Sequence, residues 1–98
     1  MPRVIWSDAS RRDLQEIDAF ISRENAEAAL AILRRIRKGA ELLEQFPAIG
    51  PILQGELRYL SVRGTPYVIV YRIEKGRVDV ARLRHVREDW FPVDRDFE

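Results

Sequence analysis

Ala29, Leu33, Ile36, Ala40 and Leu43 step along the chain by four, three, four and three residues. That spacing lays one apolar stripe along about four turns of α-helix and leaves the intervening positions to charge. Such a helix cannot stand alone; it must bury the stripe. Just upstream, Leu14, Ile17 and Ile21 repeat at helical spacing in "ASRRDLQEIDAFIS", with Phe20 broadening the face. Ser7 and Asp8 offer side-chain oxygens to cap this first helix near Ala9, and Asn25 offers one to the second, with Glu27 in its first turn. So short a connection predicts an antiparallel helical hairpin whose two stripes face a common core.

The rest of the chain supplies that core's other wall. "RVIW" at 3–6 reads as an opening strand, and "QFPAIGPILQG" ends the second helix because Pro47, Gly50 and Pro51 cannot continue it. Strand-type runs follow at 57–63, 66–74 and 77–85, separated by Gly64-Thr65 and Lys75-Gly76, where hairpin turns belong. The expected order is β-α-α-β-β-β, an α+β fold with the helical hairpin packed on one face of a small antiparallel sheet. In "YVIVYRI" the larger set, Tyr67, Ile69, Tyr71 and Ile73, should face the helices; Val68, Val70 and Arg72 take the other, partly open face. The facing of Arg82 and Arg84 depends on the length of the preceding turn, which the sequence leaves open.

Ninety-eight residues, 46% of them hydrophobic and 34% charged, suit one domain spanning 1–98 with a modest core. No apolar run approaches the ~20 residues of a membrane-spanning helix, and "MPRVIWSD" does not read as a signal peptide. The lack of cysteine excludes disulfides and thiol catalysis and fits a reducing cytoplasm; with one histidine it also argues against structural zinc. No cofactor or metal is expected.

The net charge of +1 conceals an asymmetry. Residues 51–87 hold eight basic and three acidic side chains, a net +5, whereas 88–98 hold a net −4. Positive charge is thus concentrated in the strand-rich half, within runs of valine, isoleucine and tyrosine. Arg58, Arg72 and Arg82 either lie on a solvated sheet face beside Glu56, Glu74 and Asp79, or grip the phosphates or carboxylates of a partner. Arg34, Arg35, Arg37 and Lys38 read as the solvated side of the second helix. Trp90 and Phe91, large apolar residues beside an acidic terminus, need cover from their own core or from a partner. Enzyme motifs are scarce. There is no glycine-rich phosphate loop and no ligand cluster at metal spacing, and nothing in the spacing supports Ser61, His85 and Asp89 as a triad. His85 alone has an unperturbed pKa near neutrality.

The ordered set "ASRRDLQEIDAFI", "NAEAA", "FPAIG", "LRYLSV", "PYVIVYRI" and "RHVRED" resembles the ParE branch of the RelE/ParE superfamily of type II toxin–antitoxin toxins. The most specific piece is His85-x-Arg87-x-Asp89 followed by Trp90. The resemblance implies a toxin that poisons DNA gyrase and contacts DNA only indirectly. It also implies neutralisation by a ParD-like antitoxin, whose ribbon-helix-helix domain binds DNA and whose C-terminal segment wraps the toxin. Arg58, Arg72, Arg82, Arg87, Trp90 and Phe91 are the expected target- or antitoxin-binding residues. RelE-like relatives instead cleave mRNA on the ribosome, and a reduced site of that kind would use Arg58, His85 and Arg87. The nuclease pattern is incomplete. Val68 stands where such relatives can carry a catalytic arginine, and no tyrosine follows Tyr71.

Overall fold

The computed structural model describes residues 3–87. The elements run β1 (Arg3–Trp6), α1 (Asp8–Ser22), α2 (Ala26–Gln45), β2 (Ile52–Gln54), β3 (Leu57–Ser61), β4 (Tyr67–Glu74) and β5 (Arg77–His85). Both expected caps form. Ser7 Oγ accepts from the Ser10 amide at 3.0 Å, and Asn25 Oδ1 from the Ala28 amide at 3.0 Å, each satisfying an otherwise orphaned helix-start donor. The Ser7 hydroxyl also donates to Ala81 O at 2.9 Å, which ties the start of α1 to β5.

The two helices pack on a five-stranded sheet ordered β1-β5-β4-β3-β2. Two features correct the sequence-based expectation. The sheet is mixed, because β1 pairs with β5 in parallel, Arg3 opposite Arg77 through Trp6 opposite Val80. A further short strand, β2, pairs antiparallel with the start of β3. Alternation within a strand reveals which face a residue takes; it carries no information on the direction of the neighbour or on very short edge strands.

The facing of β4 is as expected. Tyr67, Ile69 and Tyr71 join Ile17, Leu33, Ile36, Ala40 and Leu43 in the core beneath the helices. The opposite face is less open than anticipated: Val68 and Val70 are fully buried with Leu53 in a second, smaller cluster flanked by Leu57 and Tyr59. Arg72, farther along the same face, is exposed.

Two backbone features fix β5. Lys75 and Gly76, with φ of 50° and 76°, make the two-residue turn in which both positions need positive φ, so Glu74 pairs with Arg77. A bulge then interrupts the ladder, with Val80 opposite Tyr71 but Arg82 opposite Val70. The extra residue, Ala81, shifts the phase by one. Val78, Val80 and Leu83 therefore all reach the helix-side core, while Arg84 comes opposite Val68.

Candidate functional site

The three strand arginines singled out from the sequence, Arg58, Arg72 and Arg82, are all engaged within the fold. Arg58 Nη1 donates to Gly50 O at 2.8 Å and to Ala48 O at 3.3 Å, across the loop that ends α2. From the other side the fully buried Tyr71 hydroxyl donates to Pro47 O at 2.7 Å and accepts from the Gly50 amide at 3.0 Å. The "FPAIGP" segment is thereby clasped by one arginine and one tyrosine from neighbouring strands. Arg72 lies 3.1 Å from Glu74 and 3.9 Å from Asp79, which also accepts from Arg77 Nε at 2.8 Å. These half-exposed pairs add little to stability. Hydrogen bonding to Asp79 raises the pKa of Arg77 further above its ordinary value.

Arg82 grips Asp13 of α1 bidentately, Nε to Oδ2 at 2.8 Å and Nη2 to Oδ1 at 3.0 Å. The same carboxylate accepts the Leu83 amide at 2.9 Å. Asp13 is a buried charged residue. Arg82 and the Leu83 N–H both lie just past the bulge and beyond Val80, the last β5 residue paired with β1.

Burial is the main reason Tyr71 holds its proton above the ordinary tyrosine pKa of 10.0, with the Gly50 hydrogen bond and the charge of Arg58 pulling the other way. The stabilisation from the neutral hydroxyl is therefore complete below about pH 10 and is lost as pH rises through the higher folded-state value. Tyr71→Phe removes both loop contacts and leaves Pro47 O and Gly50 N–H without this partner. The variant should lose about 2 kcal/mol of stability at neutral pH and show a shallower decline above pH 10, measured by urea unfolding at a series of pH values.

At the end of β5, His85 Nδ1 accepts the Arg87 amide at 3.0 Å, and its ring meets Tyr67 edge-on with centroids 5.3 Å apart. A neutral His85 therefore carries its proton on Nε2. Arg87 is exposed. Arg58 sits elsewhere: it pairs with Tyr71, whereas His85 pairs with Tyr67. Four residues of strand, about 13 Å, separate those registers. His85 and Arg87 come together and Arg58 does not join them. Val68, the position compared with a nuclease arginine, is buried in the smaller cluster. Trp90 and Phe91 lie outside the described residues.

Two surface depressions flank this end of the sheet. One, of about 540 Å³, is lined by Asp13, Glu16, Phe20 and Tyr67 together with Arg84 and His85. The other, of about 460 Å³, runs between α2 and β3, with Gly39, Leu42, Leu60 and Val62 as its apolar lining and Arg35, Lys38 and Arg63 around it. Sequence reasoning missed the second groove. The available signal was Leu42, an apolar residue outside the stripe of α2, which is 38% exposed. Among the described residues, no His, Asp and Glu side chains cluster to hold a metal ion, and no helix is long and apolar enough to cross a membrane.

Comparison with known proteins matches residues 4–90 to the family described as the ParE toxin of the type II toxin–antitoxin system parDE. The chain is 32% identical over 89 residues to the toxin-named Y4kP of Sinorhizobium fredii, covering 90% of this chain and 92% of that one. It is 33% identical over 85 residues to Toxin RelE2 of Caulobacter vibrioides, covering 87% and 96%. In fold it is similar to a chain of the chromosomal ParDE system of P. aeruginosa, with a TM-score of 0.74 at 19% identity over 87% of this chain and 96% of the other.

Proposed function

The chain belongs to the ParE toxin family of type II toxin–antitoxin systems, and on that premise we propose that it arrests growth by binding and poisoning DNA gyrase. The observation that favours binding over ribosome-dependent mRNA cleavage is the separation of Arg58 from His85, with Val68 buried between other strands. A phosphoryl-transfer site needs its cationic and acid–base groups within a few ångströms of one reacting phosphate. Here one member of the set is engaged with backbone carbonyls of the α2–β2 loop.

The target contact is assigned to the end of β5. Arg58 and Arg82 are occupied by acceptors within the fold, so removing them acts first on folding, and Arg72 is engaged with Glu74 on the sheet surface. Arg87 is exposed, and with Trp90 and Phe91 just beyond it forms the binding terminus. The partner that restrains the toxin is a ParD-like antitoxin with a ribbon-helix-helix DNA-binding domain, whose C-terminal segment folds along the toxin. Exposed apolar side chains such as Phe46, Ile49 and Ile52 suit coupled folding of such a segment. The site of action is then the cytoplasm, and DNA is met only through gyrase or the antitoxin.

A gyrase supercoiling and DNA-cleavage assay with purified antitoxin-free protein tests this. Inhibition relieved by the antitoxin is expected. Arg87→Ala should weaken inhibition about tenfold with unchanged melting temperature, as loss of one charge-assisted contact requires. No effect on gyrase at high excess of folded protein, together with ribosome-dependent mRNA cleavage lost in His85→Ala, would replace this reading with the nuclease.

A further inference from the structure

We propose that the outward face of α2, built from Arg34, Arg35, Arg37 and Lys38 and extended by Arg63, binds the phosphate backbone of duplex DNA. On the reading above, the duplex is the one that gyrase holds, although the binding itself requires no gyrase.

The residues 34–38 hold four cations and no acid. Like charges three and four positions apart on a helix repel, and this run contains three such pairs: Arg34 with Arg37, Arg34 with Lys38, and Arg35 with Lys38. All four side chains belong to exposed residues, and none forms an ion pair among the described residues. Other cations, Arg3 and Lys75 among them, are equally unpaired there. What sets the α2 run apart is its density. Arg35 and Arg37 stand about 160° apart around the helix, with Arg34 and Lys38 between them on the side away from the core. The ridge thus carries positive charge on its crest and on both flanks.

The patch continues onto the sheet. Arg35 Nη1 donates to Arg63 O at 3.4 Å. The same guanidinium rests against Gly64, where a Cβ would lie 2.6 Å from Nη1. These contacts orient Arg35 and place the exposed Arg63 beside it.

The chemistry of the surface selects phosphate over a protein partner. A depression of about 610 Å³ over the ridge is lined by Ala31, Glu41 and the four cations. Protein partners gain most from large apolar or aromatic anchors, and this lining offers none. Phosphates need cations alone, and a guanidinium binds two phosphate oxygens at once. Position agrees with the duplex as ligand. Val62 N donates to Tyr67 O at 2.9 Å, and Tyr67 pairs with His85. Arg63 therefore lies about two strand spacings, or about 10 Å, from the end of β5 assigned to the target.

Fluorescence anisotropy of a labelled DNA duplex, titrated with the full chain alone, tests the proposal. Non-specific binding is expected, with a slope of log affinity against log salt of about −4, as four or five phosphate contacts require. Arg34→Gln with Lys38→Gln should weaken binding about tenfold and make the slope shallower by about 2, with unchanged melting temperature. Arg3→Gln with Lys75→Asn removes the same charge at the other end of the sheet, about 23 Å away along the strands, and should bind like the parent. Equal loss in both double variants would reduce the effect to net charge and overturn the proposal. So would no binding, a slope near zero, or tighter binding to an RNA duplex of the same sequence. Displacement of the DNA by poly-glutamate at equal charge concentration would also overturn it and identify an acidic protein segment as the occupant. Because gyrase is absent from the titration, these outcomes are separate from those of the supercoiling assay.

Discussion

Gly50→Ala is expected to destabilise the fold by about 3 kcal/mol or more, from steric conflict and lost hydrogen bonds acting together. A Cβ at this position would stand 2.3 Å from the backbone oxygen of Tyr59 and 2.7 Å from the Tyr71 hydroxyl. The first is strand backbone, held in the β3 ladder to β4, and cannot yield as a flexible side-chain tip would. Relief must come from moving the loop, which breaks the Gly50 N–H bond to Tyr71 and the Arg58 bond to Gly50 O. Equilibrium urea unfolding measures the loss. Gly55→Ala is the control: nothing lies within 4 Å of its added Cβ, although its φ of 58° carries a local backbone cost. Equal losses at the two positions would show that the clasp around Gly50 does not matter.

Asp13→Ala should cost about 3 kcal/mol. The carboxylate is 8% exposed as a residue and accepts three donors, two from Arg82 and one from the Leu83 amide. Its removal leaves the buried Leu83 N–H, just past the bulge in β5, without this acceptor. Arg82, whose side chain is 38% exposed, recovers part of its solvation, which keeps the estimate at the low end for a broken ion pair. Asp13→Asn retains an acceptor for Leu83 and should lose roughly half as much. Amide exchange at Leu83 provides a local readout. It should accelerate strongly in the alanine variant and modestly in the asparagine variant. Unchanged exchange would mean that the bulge holds itself.

Both positions depend on contacts that the sequence does not reveal, although the outline of the fold is legible in it. Arg58 and Arg82 stood out as cations in apolar strands and suggested a surface for a partner. In the fold each has a specific acceptor: a loop carbonyl brought by the chain reversal after Gln45, and a carboxylate on α1, 69 residues away. Asp13 gave no signal of its own, because a charged residue beside an apolar helical stripe normally faces water. The groove beside α2 was likewise hidden. Its floor joins residues of one helix to residues of a strand far along the chain, and its cations looked like ordinary solvated helix charges.

What the sequence by itself determined was local or periodic. The stripe of α2, the caps at Ser7 and Asn25, the Lys75-Gly76 turn and the faces of β4 each depend on residues within one or two turns of one another. The ordered motifs also carried the family. What the tertiary structure decided was everything set by pairing between distant segments. That includes the parallel return of β1 to β5, the bulge that reverses the facing of Leu83 and Arg84, and which arginines find acceptors at home. The physical reason is that periodicity specifies the face a side chain occupies, whereas a charge is committed by whichever partner the completed fold places within about 3 Å of it.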